Sequence, residues 1–292
     1  MLPIVDRSAA DQVPLQDVPF VLLDIETTGL EAHGGDRVVE IALVRRQGGV
    51  TTRRWETLVN PGRAISQDAY AVNRIEAASL VEAPMFAEVA DTLLAELAGA
   101  VIVAHNVHFD VEFLNVELAR IERPPLRHIL LDTLTLARLF LLHDRYSLAA
   151  LSRDLGFDRP AHRAMSDVVA LSSLFDHLLA RLRMLGVSML GELLRAQRGL
   201  LPGEPEPQAP ELLVEALRNG TRLQIAYRSR GAEPVTREIL PLELQTVGGL
   251  PRLMAYCYLR NGPRTFYLDR IDAYTPIGSV DGAEAPALKT PG

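Results

Sequence analysis

Among 292 residues there is one cysteine, Cys257, and one lysine, Lys289. A lone cysteine excludes an internal disulfide and a cysteine-rich zinc cluster. Apolar and aromatic neighbours mark Cys257 as a packed thiol rather than a nucleophile. With lysine nearly absent, almost all positive charge is guanidinium, which suits forked contacts to phosphate. Long apolar runs are also lacking: "LARLFLLHD" is far too short to span a bilayer. The opening "MLPIVDRSAADQVPLQ" lacks a basic start followed by an apolar stretch, so no secretory leader is expected. These absences imply a cytoplasmic protein with no membrane attachment. No internal repeat and no clear helix-turn-helix pattern are present.

The net charge of −7 gives no support to non-specific polyanion binding. Its distribution is uneven: residues 1–198 carry 20 arginines against 26 acids, residues 211–276 nine against seven. Between them, "GLLPGEPEPQAPE" packs four prolines and three glutamates among few apolar positions. Such a run favours extended, solvated chain and reads as a linker over 199–210. The expected organisation is one domain over 1–198, a second over 211–276, and a loose tail over 277–292. An apolar content of 48% is enough for a core in each domain.

Upstream of the linker, "FVLLD", "RVVEIALVRR" and "TTRRWETLV" read as three successive strands. Helical spacing in "FAEVADTLLAELAG" and "FDVEFLNVELARI" alternates with short buried strands at "AVIVAHN" and "RHILLD"; further helices follow to about residue 185. Three strands followed by alternating helices and strands predict an α/β layer with a mixed sheet. Downstream, "TRLQIAYRSR", "TREILPLELQTV", "LPRLMAYCYLR" and "RTFYLDRIDAY" predict a small, mainly antiparallel β domain.

Chemistry concentrates at three element ends. Asp24 and Glu26 in "VLLDIETTGL" stand two apart, so an extended chain points both to one face. Two such charges closing an apolar run are unfavourable unless something neutralises them. Asn106 and Asp110 follow the strand in "AHNVHFD", and His162 precedes a helix that carries Asp167 in "HRAMSD". Four carboxylates and one histidine converging there would suit hard cations, Mg2+ or Mn2+, rather than zinc. Two ions about 4 Å apart stabilise both attacking and leaving oxygens in phosphodiester cleavage. Asp132 is expected to cap the helix after "HILL". His105 and His108 are expected to be structural or substrate contacts, and Trp55 to pack on its strand.

The three motifs, in this order, resemble the DEDDh group of DnaQ-like 3′–5′ exonucleases over residues 17–185. That resemblance implies a ribonuclease-H-like mixed sheet flanked by helices and a two-cation centre held by Asp24, Glu26, Asp110 and Asp167. It implies His162 as general base, with Thr27, Thr28, Gly29, Leu30 and Asn106 meeting the terminal nucleotide, and Gly29 letting the backbone approach it. Where relatives often carry His-Gly-Ile-Thr, this chain has Asn73, Arg74, Ile75 and Glu76. The implied substrate is DNA with single-stranded or frayed 3′ ends, with short RNA as the alternative. The implied partners are replication or repair proteins, although no Gln-x-x-Leu-Pro-Leu clamp-binding peptide is found. A non-enzymatic nucleic-acid or ligand-sensing regulator is the competing class.

Residues 211–276 resemble a WYL domain, a small Sm/SH3-like β module, through "LRNGTRLQIAYRSR", "LPLEL" and "RTFYLDRI". The naming tripeptide appears here as Pro251, Arg252 and Leu253. The resemblance points to Arg264 and Arg270 as candidate phosphate-binding residues.

Overall fold

Strand β1 (Phe20–Thr27) lies at the centre of a five-stranded sheet. The computed structural model describes residues 7–205, 208–229, 233–247 and 250–279. The chain divides into two compact units, Met1–Gln197 and Arg198–Gly292. Around β1 the first unit sets β2 (Val38–Gln47), β3 (Val50–Leu58), β4 (Val101–Ala104) and β5 (Leu130–Asp132) in the order β3-β2-β1-β4-β5. The β1–β2 and β2–β3 pairs are antiparallel, β1–β4 and β4–β5 parallel. This is the mixed sheet that the sequence predicts.

Helices fill the connections. After β3 come α1 (Gln67–Asn73), α2 (Ala77–Val81) and α3 (Phe86–Leu97), and α4 (Val107–Arg120) joins β4 to β5. The remainder is α5 (Thr133–Phe140), α6 (Leu148–Leu155), α7 (Ala164–Met184) and α8 (Leu190–Gln197). Residues in β1 alternate between the two faces of the sheet. Val21, Leu23 and Ile25 join a buried cluster with Phe86 and Leu93 of α3 and Leu114 of α4. The other face meets α7, where Phe20 stacks edge-on against Phe175 with ring centroids 5.1 Å apart. Asp24 and Glu26 share the alternation of Phe20, so they face the layer that contains α7. Trp55 packs against the first cluster, as expected. Among the described residues no helix is long and apolar enough to cross a membrane.

The second unit packs α9 (Glu211–Asn219) with a five-stranded sheet in the order β10-β6-β7-β8-β9, antiparallel throughout. Its strands are β6 (Thr221–Tyr227), β7 (Val235–Val247), β8 (Leu250–Cys257), β9 (Gly262–Tyr267) and β10 (Ile271–Ser279). Leu213, Leu223, Ile239, Leu253 and Phe266 form its core, and Cys257 is buried among them as a packed thiol. Within "RTFYLDRIDAY" a 3-10 turn at Leu268–Arg270 separates β9 from β10. The last strand continues through Ser279, with Gly278 and Ser279 paired to β6 where the start of a tail is expected; residues 280–292 lie outside the described residues.

Candidate active site

Oxygens of Asp24, Glu26 and Asp167 lie within 4.8 Å of one another. Strand alternation brings the first two together, and the first turns of α7 bring Asp167 onto the same face. The electrostatic consequence is large. Asp24 is held well above the usual carboxylate range by burial, then by Asp110, Asp167, Glu26 and Glu40. Glu26 is pushed up to about 7 by burial, Asp167 and Glu40, against the pull of Arg163 and a hydrogen bond from Asn73. Asp167 is raised by burial despite nearby His162 and the N–H groups of Ala161, His162 and Arg163. Clustered acids with too little positive charge around them fit a divalent cation, and an all-oxygen donor set fits a hard one.

Asp110 comes from the opposite layer. It is buried in the first turn of α4 and lies outside the group of three, although its charge acts on Asp24. The β1–β4 ladder ends at Leu22↔Val103, and beyond it Asp110 accepts the Ile25 N–H. Burial holds its carboxyl well above the usual range in spite of that bond. His162 is exposed just ahead of α7, in a left-handed conformation at φ 54°, and its N–H donates to Asp167 Oδ1 at 3.1 Å. Its imidazole makes no hydrogen bond among the described residues, and its charge acts on Asp167.

With that geometry in place, the comparisons with known proteins decide the family: residues 21–175 match the family model described as Exonuclease. The chain belongs to this exonuclease family. Residues 208–276 match the WYL domain. Over 197 residues the chain is 39% identical to a DNA polymerase III subunit epsilon-like protein of Rhodobacter capsulatus, an alignment covering 66% of this chain and 28% of that protein. Over 169 residues it is 37% identical to the DNA polymerase III subunit epsilon of Treponema pallidum, covering 56% and 78% respectively. The chain thus spans less than a third of the first relative and most of the second. The structure of E. coli Exonuclease I in complex with a dA16 oligonucleotide superposes with a TM-score of 0.55 at 16% identity, over 82% of this chain and 55% of that one. That likeness is one of fold, the ribonuclease-H-like arrangement of sheet and helices.

In the exonuclease domain the loop after Glu26 is tied to itself. Thr27 Oγ1 donates to the Gly29 carbonyl at 2.6 Å, and Thr28 Oγ1 to Asp36 Oδ1 at 2.9 Å. Both threonines are buried, so their hydroxyls serve the loop. A Cβ at Gly29 would stand 2.3 Å from Asp36 Oδ2, so the missing side chain makes room for Asp36. Leu30 projects outward, 80% exposed. Asn106 adopts φ 79° and donates its N–H to Asp132 Oδ1 at 2.8 Å.

Two supporting residues lie outside the three sequence motifs. Glu40, buried in β2, accepts a forked contact from Arg163. Buried Asn73 bonds Glu26 and donates to the Thr27 carbonyl at 3.3 Å. Their signal was present but weak: each is a polar residue inside an apolar pattern, at Val-Val-Glu-Ile and Val-Asn-Arg-Ile. Asp132 caps α5 through the Leu134 N–H, as expected. His105 is structural, held by Thr133 Oγ1 at 3.0 Å and the Tyr146 carbonyl at 2.7 Å.

In the WYL domain Arg264 and Arg270 have different surroundings. Arg264, Arg237 and Arg260 line a cavity of about 160 Å3 with Ser229 and Tyr227. Arg270 instead lies 4.5 Å from the centroid of the Tyr267 ring, against which Arg252 also packs at 4.6 Å.

Proposed function

We propose that this protein is a metal-dependent 3′–5′ exonuclease acting in the cytoplasm on single-stranded or frayed DNA ends. The observation that carries the reading is the convergence of Asp24, Glu26 and Asp167 in an exonuclease-family domain. Asp24, Glu26 and Asp167, with Asp110 beside Asp24, would hold two divalent cations, Mg2+ or Mn2+. Bound there, such ions supply Lewis-acid polarisation and neutralise charge on a phosphodiester.

The chain's own groups do the rest. His162, exposed beside Asp167, accepts on an imidazole nitrogen the proton of the water that attacks phosphorus, as the 3′ oxygen of the preceding nucleotide leaves. The loop of Thr27, Thr28 and Gly29 presents backbone and the outward Leu30 to the terminal nucleotide, and Asn106 borders the same site. DNA is favoured over RNA by the relatives, which are named as DNA polymerase III subunits; those names also point to replication or repair proteins as partners. In the second domain Arg264 and Arg270 would bind phosphates of the same strand. Support comes from the cavity lined by Arg237, Arg260 and Arg264, with no acidic side chain among its described lining residues.

The test is digestion of 3′-labelled single-stranded DNA, duplex DNA and RNA, side by side, with Mg2+ or Mn2+. Release of the labelled 3′-terminal nucleotide, fastest from single-stranded DNA, is expected. Release from RNA alone would transfer the proposal to the alternative polymer, and no release from any would refute it.

A further inference from the structure

The segment that carries His162 is held by two carboxylates. Asp167 Oδ1 accepts the N–H groups of Ala161 and His162, at 3.0 and 3.1 Å. Glu40 accepts the Ala164 N–H at 2.9 Å and receives the Arg163 guanidinium in a fork, Nε at 3.1 and 3.2 Å and Nη2 at 2.7 Å. Glu40 is only 3% exposed, so this buried charge is committed to the start of α7. Between the two anchors His162 sits at φ 54°. A residue with a β-carbon keeps that conformation only where its surroundings over-determine it.

We propose that Glu40 and Arg163 form a clasp that positions His162 for the reaction without touching substrate. The inference rests on the nuclease reading above. Glu40 pairs with Glu26 across the β1–β2 ladder. The clasp therefore fixes the start of α7 to the strand register that also sets the acids. The bidentate geometry matters, since a planar fork fixes direction as well as distance. The side chain of Arg163 is itself 53% exposed. A direct contact from it to a substrate phosphate is the competing role, and kinetics separate the two.

The experiment uses the full chain with Mn2+ and a single-stranded oligonucleotide, comparing Arg163→Met, Glu40→Gln, their double variant and Arg163→Lys. Each single change should lower kcat by about 10- to 100-fold, since misplacing a reacting group by about 1 Å costs about that much. KM and the half-saturating Mn2+ concentration should stay within about twofold. The double variant should be no worse than the worse single one, as coupled partners require. Lysine, which keeps the charge without the fork, should recover only part of the rate. Independently of activity, hydrogen exchange on metal-free protein should quicken at residues 161–164 and stay unchanged in β1. A loss expressed in KM would make Arg163 a phosphate contact and overturn the clasp, as would unchanged kcat or unchanged exchange. An inactive wild type would refute the nuclease reading instead, and exchange alone would then decide whether the clasp orders the segment.

Discussion

Glu26 and Glu40 stand opposite each other in the antiparallel ladder of β1 and β2. Arg163 forks Glu40, whereas Glu26 has Asn73 as its side-chain hydrogen-bond donor and faces Asp24 and Asp167. The ladder thus places a compensated carboxylate beside an uncompensated one. Only the second is free to engage a cation.

Metal-free stability should therefore fall as pH rises. Glu26 is moved from its ordinary 4.5 to about 7, so folding takes up a proton between those values. The contribution is fully present below the unfolded value and is lost as pH rises through the folded one. For Glu26 alone the shift corresponds to on the order of 3 kcal/mol. Asp24 and Asp110 are shifted in the same direction. Thermal melts in chelator should show Tm falling from about pH 5 to about pH 8, with Mn2+ reversing the fall and Glu26→Gln flattening it. A flat or rising metal-free Tm would contradict this account.

Cleavage should depend absolutely on a divalent cation. Asp24→Ala and Asp167→Ala should abolish it while preserving the circular dichroism of the fold, and in chelator Asp24→Ala should melt no lower than wild type, since it removes like-charge repulsion. Undiminished digestion in excess chelator would sink the mechanism.

His162→Ala should slow cleavage by about 10²–10⁴-fold, the range for a positioned acid–base group. Titration calorimetry with Mn2+ should show little change in affinity, because the imidazole is assigned to the water. A wild-type rate would remove His162 from the reaction.

Gly29→Ala should disturb the loop from beneath. Its Cβ would displace an Asp36 carboxylate held by Thr28 Oγ1 at 2.9 Å and by the Glu31 N–H at 3.0 Å. A loss of about 1–3 kcal/mol is expected, as for other overpacked sites. Pairing it with Asp36→Ala should give a non-additive cycle in denaturant melts. Strict additivity would show that the two positions do not compete for space.

Arg264→Ala and Arg270→Ala should weaken binding to long single strands. Each lost phosphate contact should make the slope of log K against log salt shallower by about 0.7. Fluorescence anisotropy on a long labelled oligonucleotide measures both quantities. Equal slopes in wild type and variants would remove the WYL domain from substrate holding.

Much of this was legible in the chain itself. The period of two along a strand is a property of the backbone, so Asp24 and Glu26 had to share a face wherever β1 packed. The apolar runs around them marked the strands, and the Pro/Glu-rich stretch near residue 200 marked the change of composition between units. Only the tertiary structure decided which layer each acid joins. Asp167 arrives with α7 on the face of Asp24, while Asp110 arrives with α4 from the other side and answers an N–H left by the short β4 ladder. Glu40 read as one charge within a strand, because its partner Arg163 lies 123 residues further along. The space at Gly29 was likewise set by Asp36, a side chain held on a neighbouring turn. Local periodicity is carried by covalent geometry, but a buried charge acquires its role from whichever distant group packing delivers to it.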